Sequence, residues 1–217
     1  KESFRLPSNK VIITGHGIDV EKFKPSSPKE GINNIFKIIT IGRISPVKDY
    51  ETLIKAAETL VKDGVKFKVD IIGGAGLPEQ EKYLLDLKKM VKDANLENII
   101  NFLGPVPNKN IAVYLRDADL FVNMSHTGSL DKAILEAMAA GLPVVTCNES
   151  AKSMLTDYGD TVLFFPGSHK QLASRIKFIL SLNKEERESL GQGLRDVVVK
   201  EHNLQSLINK IINILKV

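Results

Sequence analysis

Arg43 and Lys48 lie in the segment Gly42-Arg43-Ile44-Ser45-Pro46-Val47-Lys48-Asp49, which follows a run of apolar β-branched residues. Arginine offers a planar fork of donors and lysine a compact positive charge, so the two can flank a diphosphate. Spacing alone allows an equal reading as two solvated surface cations. A second chemical segment runs from Ser125 to Thr146, SHTGSLDKAILEAMAAGLPVVT. Small and polar residues lead into an amphipathic helix that Gly141, Leu142 and Pro143 bring to an end. The first-turn N–H groups of such a helix have no intrahelical partner, and with the helix dipole they can hold a phosphate or carboxylate. Gly128, Ser129, Leu130, Asp131 and Lys132 form this helix start, and Glu136 falls on the second turn. A carboxylate there can accept hydrogen bonds from two vicinal hydroxyls, as on a ribose, although a surface or capping glutamate has the same appearance. Asp131 equally suits a first-turn acid that favours the helix dipole.

Two further loops complete the candidate set. Gly73-Gly74-Ala75-Gly76 lets a backbone approach a ligand closely or simply turns the chain. Gly104-Pro105-Val106-Pro107-Asn108 is rigid and apolar, able to hold a flat base against its backbone near Val106, or to serve as an ordinary turn. A dinucleotide fingerprint is disfavoured: read from Gly74, the third glycine position of G-x-G-x-x-G holds Glu79, and the strand end at Leu103-Gly104 carries no acid for a ribose. No G-x-x-x-x-G-K-[ST] phosphate loop occurs. His16, His126, His169 and His202 lack metal-ligand spacing and H-E-x-x-H is absent, so neither metal nor cofactor is expected.

These loops must be positioned by a regular scaffold. Candidate strands are Val11 to Thr14, Phe36 to Gly42, Phe67 to Gly73, Ile99 to Leu103, Leu120 to Met124, Pro143 to Cys147 and Val162 to Phe165. Several are continuous apolar runs, as expected of strands covered on both faces. Between them, Tyr50, Leu53, Ile54, Ala57, Leu60 and Val61 trace one helical stripe, Leu84, Leu87, Met90 and Val91 another, and Ile134, Leu135, Met138 and Ala139 a third. Alternating strand and helix implies an α/β fold with a parallel sheet and right-handed crossovers, its ligands beyond the carboxyl ends of the strands. After Pro166 the chain turns helical, ending in an amphipathic stripe of Leu204, Leu207, Ile208, Ile211 and Leu215 that could pack on this domain or on another. No internal repeat or linker is visible, so residues 1–217 are taken as one domain.

With 217 residues, 43% of them hydrophobic, the chain can bury a substantial core. Its 30 basic and 26 acidic residues are spread along the sequence, which argues against nucleic acid as a partner and suits a small anionic ligand. The single cysteine, Cys147, excludes an internal disulfide framework and reads as a buried packing residue. No apolar run approaches the roughly 20 residues that span a bilayer, and a cytoplasmic location is expected.

Taken together, the segments resemble the C-terminal, donor-binding domain of a GT-B fold, specifically of the retaining family 4 glycosyltransferases. The matching pieces are Gly15-His16-Gly17-Ile18-Asp19 with Phe23 and Pro25, Gly42-Arg43-Ile44 with Lys48-Asp49 and Leu53-Ile54, and Ile71-Ile72-Gly73. They continue with Phe102-Leu103-Gly104, Tyr114-Leu115 with Ala118-Asp119-Leu120, and Leu135-Glu136-Ala137-Met138-Ala139 with Gly141, Pro143, Val144 and Val145. The resemblance covers roughly residues 10–167 and implies a Rossmann-like sheet with helices on both faces, one half of a GT-B enzyme, followed by extra C-terminal helices. It implies a nucleotide-diphosphate sugar as donor and transfer with retention to a glycan, lipid or polysaccharide acceptor. On this reading Arg43 and Lys48 hold the diphosphate, Glu136 binds the ribose, the loop at Val106 lies at the base, Gly17 lies at the interdomain cleft and Gly74 lines the donor site.

One departure stands out. The family places two glutamates with seven residues between them and a glycine-rich turn after the first, and the first position, counted back from Glu136, falls here on Gly128. Ser129, Leu130, Asp131 and Lys132 then form the turn, and their position alone suggests Asp131 as the replacement carboxylate and Lys132 as a further phosphate contact. Asp131 thereby joins a catalytic set with Arg43 and Lys48, which the resemblance implies stabilise the departing charge. An inactive nucleotide-binding or interaction module on the same scaffold is the alternative. Because the chain begins at Lys1, an excised half is expected, weak in nucleotide binding and with little or no transfer by itself. The N-terminal acceptor domain would be its missing partner, with peripheral membrane contact through that half.

Overall fold

The computed structural model describes residues 12, 14–25 and 35–215. Five parallel strands, β1 (Phe36–Ile41), β2 (Phe67–Ile72), β3 (Ile100–Gly104), β4 (Leu120–Asn123) and β5 (Val144–Thr146), form one sheet in the order β3-β2-β1-β4-β5. Helices α1 (Tyr50–Lys62), α2 (Pro78–Asp93), α3 (Asn108–Asp117) and α4 (Lys132–Ala139) make the crossovers. The short α5 (Gly159–Val162) and the longer α6 (His169–Ser181), α7 (Lys184–Glu201) and α8 (Leu204–Leu215) follow.

Strand alternation assigns side chains to two cores. Ile38, Ile71, Leu120, Val122 and Val145 pack with Leu53 of α1, Leu87 of α2 and Ile176 of α6. Their neighbours Ile39, Ile72, Phe121 and Val144 pack with Leu115 of α3, Met138 of α4 and Leu194 of α7. A sheet covered on both faces explains why the strands read as unbroken apolar runs. Cys147 is fully buried in the first core, and burial pushes its thiol up to about 12, so it behaves as a small apolar residue.

Local signals fix the helix ends. Asp49 adopts a left-handed conformation at φ 45° and caps α1, its carboxylate accepting from the Thr52 N–H at 3.4 Å and from Thr52 Oγ1 at 2.7 Å. Asn183 and Glu186 form a reciprocal capping box on α7, with bonds of 2.9 and 2.8 Å. Gly141, at φ +71°, ends the α4 turn and donates its N–H to the Met138 carbonyl at 2.9 Å.

The structure departs from the sequence expectations at one strand and one helix. Val11 and Ile13 of the expected first strand lie outside the described residues. Val162 to Phe165 does not form a strand: Leu163 makes a single parallel bridge to Thr146, and the Phe164 N–H reaches the Thr146 carbonyl at 3.2 Å. Pro166 then removes the next donor and Gly167 turns the chain at φ +73°, so the ladder stops. α4 was expected to be amphipathic, yet every residue from Ala133 to Ala139 is buried, because α7 covers its outer side.

The Arg195 guanidinium of α7 donates to the carbonyls of Val20 at 3.2 Å and Phe23 at 3.4 Å, and to that of Ala139 at the end of α4. The N-terminal segment is thereby fastened to the α4 layer. Where α7 crosses the α4–β5 turn, the contact is backbone on backbone: a Cβ on Gly191 would lie 1.9 Å from the Gly141 carbonyl oxygen. Gly191→Ala is therefore expected to destabilise the fold by about 1–3 kcal/mol through overpacking. Thermal unfolding checks this, and an unchanged melting temperature would contradict the close approach.

Candidate functional site

Strand order reverses between β1, whose other neighbour is β2, and β4, which leads on to β5. In open parallel sheets the loops diverge at such a point and leave a crevice beyond the strand ends. The loop after β1 and the loop after β4 meet there. Lys48 ends the 3-10 turn Pro46–Lys48, and its ammonium donates to Asp131 Oδ2, the Asp131 side chain being 14% exposed. The stem of Lys48 lies across Gly42, where an added Cβ would come 3.2 Å from its Cε. Tyr50 Oη braces the same loop by donating to the Gly42 carbonyl at 2.8 Å. Burial and the nearby Asp131 charge raise the Tyr50 phenol, so it remains a neutral donor.

Asp131 is engaged on both oxygens. Oδ2 also accepts from Asn123 Nδ2 at 2.9 Å, and Oδ1 caps α4 through the Ala133 N–H at 3.4 Å. Part of the open helix start expected from sequence is thus met by an internal carboxylate. Behind it runs a buried polar relay, in which Asn148 N–H donates to Thr146 Oγ1 at 3.0 Å and that hydroxyl donates to Asn123 Oδ1 at 3.1 Å. The Asn148 amide also donates to the carbonyls of Ser125 at 3.3 Å and Ser129 at 3.1 Å, while Ser150 Oγ donates to that of Gly128 at 2.9 Å. These bonds set the path of the loop that lacks the expected glutamate.

The loops after β1, β2 and β3 are stitched together by backbone bonds. Gly42 N–H meets the Ile72 carbonyl at 2.9 Å, Ile44 N–H the Gly74 carbonyl at 3.0 Å, and Gly73 N–H the Gly104 carbonyl at 2.9 Å. A Cβ on Gly73 would fall 1.8 Å from the Gly42 oxygen, so only glycine fits there. Gly74 rests against Pro105, which brings the glycine run to the Val106 loop, and Val106 and Leu130 pack on the edge of the α3–α4 core.

Glu136 is the buried acid of α4, 6% exposed, with Lys132 Nζ 3.9 Å from its Oε1. Burial raises its carboxyl above the ordinary range, opposed by the charges of Lys132 and Lys22 and by the Asn108 amide. Lys22 donates to Asn108 Oδ1, so the start of α3 and the segment before β1 both face this acid. Arg43 is exposed on the β1 loop, without a side-chain partner among the described residues. Gly17 faces α8 instead, where a Cβ would come 2.8 Å from Leu207 Cδ2. Leu130 also borders an open cleft of about 670 Å³ whose other walls include Met154, Tyr158 and Lys200.

Lys48, Asp131, Lys132 and Glu136 therefore surround one helix start, with the glycine and Val106 loops alongside. Sequence reasoning gave no individual site role to Lys22, Tyr50, Asn108, Asn123, Thr146 or Asn148. A signal existed for two of them: Asn123 interrupts an apolar strand and Asn148 directly follows another, positions where a polar side chain must find partners.

Fold and crevice define a Rossmann-like α/β domain with a paired cation and carboxylate at the topological switch point. The profile of the family described as Glycosyl transferases group 1 matches residues 19–197, and the chain belongs to that family. It is 27% identical over 216 residues to the amylovoran biosynthesis glycosyltransferase AmsK of Erwinia amylovora, covering 97% of this chain and 51% of that protein. The C-terminal domain of a glycosyl transferase group 1 family protein, LpcC of Francisella tularensis, superposes with TM-score 0.74 at 25% identity, covering 87% of this chain and all of that one. Anabaena Alr3699/HepE, solved with UDP and glucose, superposes with TM-score 0.80 at 22% identity, covering 92% of this chain and 55% of that one, and matches in its GT-B-type fold. The chain spans about half the length of the curated relatives it matches from end to end. Among the described residues no helix is long and apolar enough to cross a membrane, and no group of three or more His, Cys, Asp or Glu side chains could hold a metal ion.

The elevated Glu136 carboxyl has a thermodynamic consequence. The folded chain holds this proton more tightly than the unfolded chain, so the group contributes most below its unfolded value, and stability is lost as pH rises through the folded value. Glu136→Gln should therefore raise the melting temperature at pH 7.5, the gain shrinking toward pH 4. Paired melts at the two pH values test this, and a gain independent of pH would contradict it.

Proposed function

We propose that this chain is the donor-binding half of a retaining sugar transferase and binds a nucleotide-diphosphate sugar at the β1/β4 crevice. The observation that carries this reading is Lys48, which crosses from the β1 loop to the first turn of α4, with Glu136 one turn further along the same helix. Lys48 and Arg43 receive the diphosphate, Glu136 accepts the ribose hydroxyls, and the loop from Gly104 to Pro107 takes the base. Gly74, Ser129, Leu130 and Lys132 line the remainder. When the bond from the anomeric carbon to the diphosphate breaks, negative charge grows on the leaving oxygen. Cations already in place stabilise that charge electrostatically, and no metal is needed for it. The sugar passes, with its anomeric configuration kept, to a glycan, lipid or polysaccharide acceptor held by a second half. AmsK, by its description a glycosyltransferase of amylovoran biosynthesis, supports sugar transfer as the reaction. By itself the 217-residue chain binds nucleotide weakly and transfers little or no sugar.

A binding module without transferase activity is the second reading, favoured by Gly128 at the position of the usual carboxylate. Calorimetry of the chain with UDP, GDP and ADP tests the shared site. Lys48→Ala should weaken whichever nucleotide binds by about tenfold or more, the scale of a lost charge-assisted bond, with a smaller loss for the exposed Arg43→Ala. Glu136→Ala should weaken nucleotide but leave inorganic pyrophosphate unaffected. Wild-type nucleotide affinity in Lys48→Ala would overturn the donor reading, and wild-type nucleotide affinity in Glu136→Ala would remove the ribose role of Glu136.

A further inference from the structure

Lys48 already has a partner, which a site waiting for a diphosphate does not require. We propose that Asp131 is an internal counter-anion: it holds Lys48 until a diphosphate takes that place, and it recovers the lysine when the nucleoside diphosphate leaves. The inference rests on the reading of Lys48 as a diphosphate ligand and assigns Asp131, Asn123 and Thr146 as positioning residues.

The bonding is directional. Because Thr146 Oγ1 accepts the Asn148 N–H, its own proton is free to go to Asn123 Oδ1, and Asn123 then presents its amide group to Asp131 Oδ2. With Oδ1 on the Ala133 N–H, the carboxylate is anchored by donors that do not depend on Lys48. It stays in place when the lysine turns to a ligand. The Lys48 side chain is 20% exposed, and its flexible stem rests on Gly42. A diphosphate bound to Lys48 therefore stands beside a fixed negative charge. That repulsion lowers affinity for the diphosphate moiety and favours departure of the product.

Asp131→Asn removes the charge and keeps a good capping side chain, its one amide oxygen on the Ala133 N–H and its amide group in place of the oxygen that faces Asn123; an unchanged far-UV circular dichroism spectrum checks that the fold is retained. Calorimetry at low salt with inorganic pyrophosphate and with UDP should show about tenfold tighter binding than in the unsubstituted chain, the scale set by a nearby like charge near a protein surface. High salt should shrink the gain, and Lys48→Ala should abolish it in the double variant. Thr146→Val, which breaks the relay without altering either charge, should give a smaller gain in the same direction. Unchanged or weaker pyrophosphate binding by Asp131→Asn, or a gain that survives Lys48→Ala, overturns the counter-anion role. Loss confined to a UDP-sugar, with UDP and pyrophosphate unaffected, overturns it in favour of a direct sugar contact. If Lys48→Ala alone leaves nucleotide affinity unchanged, the donor reading fails first.

Discussion

A carboxylate largely withdrawn from water has to be met by a cation or by hydrogen-bond donors, and Asp131 is where that requirement organises the crevice. Lys48 comes to it from the β1 loop, Asn123 from β4 and the Ala133 N–H from α4, so three elements converge on one group. The approach of Lys48 depends in turn on Gly42, across which its stem lies, and on Gly73, which lets the neighbouring loop touch the Gly42 carbonyl. A charge pair at the top of the sheet thus constrains backbone positions two strands away.

The second acid of the site follows a different logic. Glu136 has Lys132 nearby but is buried on a helix that is enclosed all round, and its carboxyl is raised in consequence. A carboxyl raised by burial lowers stability at neutral pH, and carboxyls perturbed in this way concentrate at functional sites. The two acids therefore differ in kind: Asp131, the cap of α4, is met by a cation and two donors, whereas Glu136, within the helix, is raised by burial.

Much of the scaffold was legible because a sheet covered on both faces leaves a simple imprint. The stretches Phe36 to Gly42 and Leu120 to Met124 contain the observed β1 and β4, each shorter by one residue at its carboxyl end. The last expected strand failed because Val162 to Phe165 has strand composition but meets Pro166 before a ladder can grow. The loop glycines and Lys48 were found as a pattern along the chain, whereas Asn108 and Lys22 had no local signature. Their relation to Glu136 arises only when the segment before β1 folds back beside α3, a contact across 86 positions of sequence. The enclosure of α4 was equally hidden, since it depends on α7, which arrives more than forty residues later.

Arg195 adds a mechanical consequence. α4 has only 8 residues and is gripped at its start by Lys48 and Asn123 through Asp131, and at its end by the guanidinium on the Ala139 carbonyl. A short rod held in two bearings can neither roll nor slide, and the residue at mid-span inherits that rigidity. Glu136 is that residue. On the proposed reading, in which Glu136 receives a pair of hydroxyls, its Cα is already fixed, and that part of the ordering entropy has been spent in folding and not in recognition.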